Sequence, residues 1–407
     1  MLVEEIRKSF PGLAGTVYSR PLVYFDNAAT AMRPIRVISK LEDLSYNHNA
    51  NIHRAVHRLS AEATEEYENT RDSVQKYLNA RSREEIVFTS GTTAAVNLAA
   101  FCFGESFIRH GDEILVSEAE HHSNLVPWQM MCERKGAVLK KLPIEDDGTV
   151  SLDVLVRMLT PATKLFCVAH ITNTLGIENP LKDIVNICHS KNCPVFADGA
   201  QGIVHSRTDV QETGVDFYSF SGHKVYAATG TGVLYGRKEL LEKMPPYMGG
   251  GEMVGTVKFT GTTYAPLPGK FEAGTQNINA IPTLVPALEM AEAMRDTELE
   301  KYCEGVSEYI FDALTSNPRI RLFGVPRGAQ KKAPIFSFVV DGVHHEDIAL
   351  ILDKMGIAVR SGQMCAEPVM DRFGVTGMVR ASLAPYNTME EAESFIRALE
   401  RAIKMLS

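Results

Sequence analysis

Lys224 stands where a chain can make a nucleophilic amine. It closes the string Ser221-Gly222-His223-Lys224 at the end of the apolar run DFYSFS, and a Gly/Thr turn then leads into a second apolar run, TGVLYG. A lysine at the end of a buried strand is desolvated, so its pKa falls and it can form a Schiff base; a solvated surface charge, which stays largely protonated, is the plain alternative. In an earlier string, VFADGAQG, the apolar run ends at Asp198. Alone, Asp198 reads equally well as a cap for the next helix. Taken with Lys224 it meets the two needs of pyridoxal phosphate: an amine for the aldehyde and an acid that keeps the pyridine nitrogen protonated. Gln201, just beyond, is in position to hydrogen-bond the ring hydroxyl.

A phosphate group calls for a helix N-terminus with small or hydroxyl residues. FTSGTTAAVNLAAF supplies one: Gly91 permits close backbone approach, Thr92 and Thr93 carry hydroxyls, and Ala94 to Phe101 continue as a helix. The same string also serves at ordinary helix caps. Ser221 and His223 add a second hydroxyl and a ring donor. In SEAEHHSNLVPW, His121 and His122 follow a strand. Paired histidines suit a metal, but no matching carboxylate–histidine spacing accompanies them, so no metal is expected. A strand-end histidine suits stacking on a planar ring better, and a satisfied core histidine is the plain alternative.

The seven cysteines are scattered, with no C-x-x-C pair. That is neither a disulfide framework nor a zinc ribbon, and most sit among apolar neighbours as small core hydrophobes. Cys365 differs. It lies in RSGQMCAEP, a Gly-containing turn between the strand-like GIAVRSG and the break at Pro368, five residues after Arg360. Positive charge favours the thiolate, the form that attacks sulfur.

The elements that must hold these residues are legible as alternating βα units. Six apolar runs, EEIVFTS, EILVSEA, LFCVAHI, CPVFADG, DFYSFS and TGVLYG, are separated by amphipathic stretches. That is the pattern of an α/β chain around a mostly parallel sheet, where ligands collect at the carboxyl ends of strands. Ser151 is placed to cap SLDVLVRML, and Leu59, Ala63, Tyr67, Val74 and Leu78 share one face of a helix in LSAEATEEYENTRDSVQKYLN. The Gly/Thr/Pro-rich stretch from 245 to 280 reads as long ordered loops, followed by one helix from Ile281 through FDAL. The remainder predicts a smaller α+β domain. Residues 20–285 are expected to form the large domain, and 1–19 with 286–407 the small domain that carries the Cys365 loop. His344 and His345 read as exposed loop histidines.

Composition sets the outer bounds. The chain has 407 residues, with 42 Lys plus Arg against 50 Asp plus Glu, a net charge of −8. A mildly acidic chain lacks the basic footprint of a nucleic-acid binder. No apolar run approaches the roughly 18 residues of a membrane span, and MLVEEIRKSFPG does not read as a signal peptide. A cytoplasmic protein, with neither membrane nor nucleic-acid partner, is the expectation.

Nearly the whole chain, from YFDNAAT to RASLAPYNT, resembles the class V aminotransferase-like branch of fold-type I pyridoxal phosphate enzymes, and within it the group II (SUF-type) cysteine desulfurases. The markers fall in order: NANIHRAVHRLSAEAT, FTSGTTAAVN, EHHSNLVPW, HITNTLGIENP, ADGAQG, SFSGHK, GGGEM, FEAGTQN and RSGQMCAEP. The resemblance implies a seven-stranded, mostly parallel large-domain sheet flanked by helices. It implies that Lys224 carries the cofactor as a Schiff base, Asp198 pairs with the ring nitrogen, His121 stacks on the ring and Gln201 contacts its oxygen. Thr92, Thr93, Ser221 and His223 would hold the phosphate, joined by Thr275 from the second subunit of a homodimer. Asn173 would lie near substrate and ring, Arg380 would bind the substrate carboxylate, and Arg360 is a second candidate for it. Cys365 would take sulfur from L-cysteine as a persulfide and pass it to a SUF-type acceptor for iron–sulfur assembly, on a loop that moves between ring and exit. One departure from the family pattern stands out: Gln363-Met364 precede Cys365, so the histidine usual next to the cysteine is absent. Selenocysteine lyase, an aminotransferase or an epimerase would use the same fold, and a non-catalytic paralogue would keep it as a binding subunit.

Overall fold

The computed structural model describes residues 3–53, 55–326 and 331–406. Its main sheet has seven strands: β1 (Ile86–Thr89), β2 (Glu113–Ser117), β3 (Val138–Leu142), β4 (Thr163–Ala169), β5 (Val195–Asp198), β6 (Phe217–Ser221) and β7 (Gly232–Gly236). Their order is β1-β7-β6-β5-β4-β2-β3, parallel except that β7 runs against both neighbours. The short return from β6 to β7 accounts for the exception, because a parallel crossover needs a dozen or more residues.

Helices cover both faces, so the central strands are buried on both sides and read as continuous apolar runs. Alternate side chains divide between two cores. Phe166, Val168, Tyr218 and Phe220 join one, while Leu165, Cys167, Phe196 and Phe217 join the other with Trp128 and Phe103. The seventh strand, β3, is not one of the six apolar runs. It lies at the sheet edge, where Lys140 and Lys141 pair with Glu113 (2.5 Å) and Glu118 (2.6 Å). Charges on an edge strand suit its exposure and hide it from an apolar pattern.

Several local expectations change. The stretch after 245 is not all loop: β8 (Val254–Lys258) and β9 (Gly261–Tyr264) form an exposed antiparallel hairpin. The long helix after Ile281 is two, Leu284–Ala293 and Thr297–Ser316. Asp296 ends the continuity by accepting the N–H groups of Glu298 and Leu299, an N-cap that starts a new helix. Ser151 sits at the N-cap position of Leu152–Met158 but makes no side-chain cap bond. In the helix Arg58–Tyr77, Ala63, Tyr67 and Val74 are buried, as is Leu78 just beyond it, but Leu59 is exposed. His344 is an exposed cap of the helix His345–Lys354, whereas His345 is buried and packs beside Gly377.

A second sheet joins β10 (Ile320–Phe323), β11 (Ile335–Val340), β12 (Arg360–Gly362) and β13 (Met378–Ser382) in the antiparallel order β10-β11-β13-β12. The helices Thr297–Ser316, His345–Lys354 and Met389–Met405 supply Ile310, Leu352 and Phe395 to its core. Val23 and Phe25 join the same core, and Val23–Tyr24 pairs in parallel with Ile357–Ala358. This pairing brings the segment after residue 24 against the strands that lead to Cys365. Among the described residues no helix is long and apolar enough to cross a membrane.

Candidate active site

Strands β2, β4, β5 and β6 are mutually parallel, and β1 shares their direction because β7 opposes both β1 and β6. Five carboxyl ends therefore open on one edge of the sheet. Gly91–Thr93 follow β1, His121 follows β2, and Asn173 follows β4. Asp198 is the last residue of β5, and Ser221 the last of β6, with His223 and Lys224 directly after it. One pocket is lined by Thr92, Thr93, His121, Asn173, Asp198, Ser221, His223 and Lys224 together with Gln201, Arg360, Cys365 and Arg380.

At one end of the pocket the helix Thr92–Phe107 begins. The Thr92 N–H donates to Ser221 Oγ at 2.8 Å, and that hydroxyl donates to Thr92 Oγ1 at 3.0 Å. Gly91 has φ +148°, and a Cβ there would stand 3.2 Å from Ser221 Oγ. Glycine thus keeps the helix start open as an anion cradle. Thr93 lines the cradle mouth. His223 reaches Thr30 Oγ1 through Nδ1 at 3.2 Å, and burial, then Lys224, push its pKa down to about 4.

At the centre, Asp198 is buried and its Oδ1 accepts the Ala200 N–H at 2.9 Å. Burial raises its pKa, and Lys224 opposes the rise. Burial likewise pushes the Lys224 amine down to about 8, with Asp198 opposing. His121 Nδ1 accepts the Ser123 N–H at 3.0 Å and lies 2.6 Å from Ser123 Oγ. Burial and then Lys224 hold His121 down to about 3, so the ring is neutral near pH 7. Gln201 is buried and donates from Nε2 to the Ala28 carbonyl at 2.7 Å. An anion cradle, a buried carboxylate, a neutral flat ring and an amine of depressed pKa, all lining one pocket, suit the parts of pyridoxal phosphate.

The opposite wall comes from the second sheet. Arg380 on β13 is buried, not a surface residue, and its Nη1 donates to the Asn173 carbonyl at 2.9 Å. Asn173 Nδ2 donates to the Met364 carbonyl at 2.8 Å. Arg360 on β12 lies directly opposite Arg380 in register. Cys365 is exposed, in a turn where Gly362, Met364 and Cys365 all have positive φ. Pro368 does not break a helix here; it sits in the first turn of Glu367–Phe373. The turn is fastened at Met364 by Asn173, and at Cys365 by the His122 N–H, which donates to the Cys365 carbonyl at 2.7 Å.

Thr275 is not brought to this pocket. It is exposed in the loop between Glu272 and Ile281 of the same chain. Two residues at the site were not anticipated. Asp26 pairs with both arginines, and Ser123 orients His121. Both stand inside strings already marked, YFDNAAT and EHHSNLVPW, but their partners are set by the fold. Among the described residues there is no cluster that could hold a metal ion.

Residues 23–395 match the family model for the class-V aminotransferases. A probable cysteine desulfurase of Vibrio cholerae is 44% identical over 404 residues, 99% of each chain. A cysteine desulfurase of Salmonella typhimurium is 43% identical over 406 residues, again 99% of each. The solved cysteine desulfurase CsdA of Escherichia coli, in an S-sulfonic acid form, superposes with a TM-score of 0.91 at 38% identity, covering 100% of both chains. The apo cysteine desulfurase of Thermococcus onnurineus NA1 gives a TM-score of 0.92 at 34% identity, covering 99% of this chain and 98% of that one.

Proposed function

The chain belongs to the class-V aminotransferase family, and from that membership we propose that it is a cysteine desulfurase of the group II type, dependent on pyridoxal phosphate. The observation that carries the reading is Cys365: an exposed thiol on a fastened turn, lining the same pocket as Lys224 and two guanidinium groups. Aminotransferases and epimerases have no need of a cysteine there.

Pyridoxal phosphate, when bound, supplies an electron sink for the substrate Cα. Thr92, Thr93, Ser221 and His223 would hold its phosphate, Asp198 would hold a proton on its ring nitrogen, Gln201 would serve its ring oxygen and His121 would pack against the ring. Lys224 would anchor it and would move a proton at Nζ; a pKa of about 8 suits an amine that must both give and take near neutral pH. Arg380, supported by Arg360, receives the carboxylate of L-cysteine in a forked contact, and Asn173 positions the substrate. The Cys365 thiolate attacks the substrate sulfur. As the S–S bond forms, the Cβ–S bond breaks, and its electron pair stays with the carbon skeleton. Protonated at that carbon, the skeleton leaves as alanine, with a persulfide left on Cys365. The exposed turn then offers the outer sulfur to a SUF-type acceptor protein for iron–sulfur assembly. L-selenocysteine fits the same steps.

A homodimer is part of the reading. Thr275 lies outside its own chain's pocket, and the nearby hairpin exposes Val257, Phe259 and Tyr264. Contiguous exposed apolar side chains are what a partner surface covers. Seven free thiols suit the reducing cytoplasm. The test is alanine release from L-cysteine with a reductant, wild type against Cys365→Ala. The reading requires alanine and sulfide from wild type, and a variant that keeps the yellow cofactor but loses turnover. Equal alanine from both would remove Cys365 as the sulfur acceptor.

A further inference from the structure

Lys224 sits inside a closed turn. The Gly222 carbonyl accepts the Val225 N–H at 3.0 Å and the Ala227 N–H at 2.9 Å, so the chain leaves the short helical turn Gly222–Lys224 in the manner of a Schellman motif. That motif needs one residue in the left-handed region, a place glycine fills at no steric cost. Here the residue is Tyr226, buried and with φ +70°. A bulky side chain in that conformation is strained, and it persists only where its surroundings over-determine it. The His223 carbonyl, inside the same turn, accepts the Ala31 N–H at 3.1 Å.

The surroundings of Tyr226 are two further rings, and none of the three lines the pocket. Phe10 packs against Tyr226 at 5.7 Å between centroids and against Tyr386 at 4.6 Å, while the two tyrosines stand 6.4 Å apart. Tyr386 is tied in its turn. Its hydroxyl accepts the Met32 N–H at 3.1 Å and donates to Asn27 Oδ1, and its carbonyl accepts from Arg7 Nη1 at 2.7 Å. The strained residue is therefore held by a cluster drawn from three distant parts of the chain.

We propose that Tyr226 is a positioning residue: wedged by Phe10 and Tyr386, it holds the turn in its strained form and so fixes the direction in which the Lys224 side chain leaves the backbone. The inference rests on the reading of Lys224 as the lysine that takes the cofactor. An amine aimed before the aldehyde arrives reacts from a ready geometry, whereas one on a slack turn loses rate to the search for it.

The test uses the full chain in two ways. In the wild-type apoenzyme, the Val225 and Ala227 amides should exchange hydrogen at least about a hundredfold more slowly than in the free peptide of the same sequence. Fast exchange there overturns the proposal whether or not any variant folds. Capture of pyridoxal phosphate, stopped with borohydride and read by mass, then compares variants over a range of cofactor concentrations. Tyr226→Ala should lower the maximal rate at least about tenfold and leave the half-saturating concentration in place. Phe10→Ala, outside the pocket lining, should lower the maximal rate at least about threefold. Tyr226→Phe keeps the ring and should stay within about twofold of wild type. A lower melting temperature with the maximal rate per folded chain unchanged overturns the proposal in favour of a purely structural role. A change confined to half-saturation would assign the turn to phosphate binding through His223, and overturns it too. Equal losses in Tyr226→Phe and Tyr226→Ala, or no loss in Phe10→Ala, do the same. Failure of the cofactor reading would show instead as no mass fixed on wild type, with the exchange rates still measurable.

Discussion

The backbone N–H of His122 donates to the carbonyl of Cys365 across 2.7 Å, joining the turn that carries the exposed thiol to the turn that carries the His121 ring. A second link runs between the same segments, from the His122 ring to Glu367 at 3.4 Å. The cysteine turn is thus held at its backbone while its thiol stays exposed.

That bond can be removed without touching the thiol. His122 opens a short helical turn after an extended His121, and proline is accepted at such a first position. His122→Pro deletes the N–H, whereas His122→Ala keeps it and deletes only the ring. Steady-state kinetics with L-cysteine should show kcat/KM falling about tenfold in the proline variant, the scale of one lost hydrogen bond, and far less in the alanine variant. Equal losses in both would assign the effect to the ring.

The depressed Lys224 pKa sets the pH dependence of cofactor capture. The neutral amine attacks an aldehyde, and its fraction rises with pH through about 8. Incorporation of pyridoxal phosphate into the apoenzyme, followed by borohydride reduction and mass analysis, should therefore accelerate from pH 6 to about 8 and level off above it. A rate still climbing about threefold between pH 10 and pH 11 would mean an ordinary lysine. Lys224→Ala should gain no cofactor mass at any pH.

Arg380→Lys keeps the charge and loses the fork. The ammonium cannot both hold the Asn173 carbonyl and present a planar pair of donors to a carboxylate. KM for L-cysteine should rise by at least tenfold, with the absorbance of the bound cofactor unchanged. An unchanged KM would place carboxylate recognition elsewhere in the pocket.

Stability rests on a different arginine. Arg71 is buried and holds Glu272 through Nη1 and Nη2 at 2.7 and 2.9 Å, while Glu272 also accepts the Phe88 N–H at 2.8 Å. Arg71→Ala strands that carboxylate in the core, a loss of about 3–5 kcal/mol. Thermal unfolding should move down by roughly four to six degrees. A shift under two degrees would show that Glu272 finds another partner or takes up a proton.

What could be read from the sequence divides along a physical line. Asp198, Ser221 and Lys224 were legible because strand, turn and reactive side chain are contiguous, so one apolar run announces its own carboxyl end. The ends of β1, β2 and β4 were legible for the same reason. Asp26 was not, since its partners lie 334 and 354 residues away and only sheet pairing brings them together. Strand β3 was hidden because an edge strand carries charge where a central one carries valine. The division of the long helix turns on one side chain, Asp296, whose cap competes with a periodicity that runs on unbroken. Thr275 had no reading within one chain at all.

The burial of the other cysteines makes the folded protein singular toward electrophiles. Cys102, Cys132, Cys167, Cys188 and Cys193 are enclosed, and burial pushes the Cys102 thiol up to about 12 and the Cys132 thiol up to about 11. Cys303 is half-buried and pushed up to about 12 as well. Seven thiols in the chain thus present one address. Alkylators, spin labels and sulfur itself compete for the same atom, and loading can be counted as one mass increment per folded chain, with no cysteine-free background to engineer.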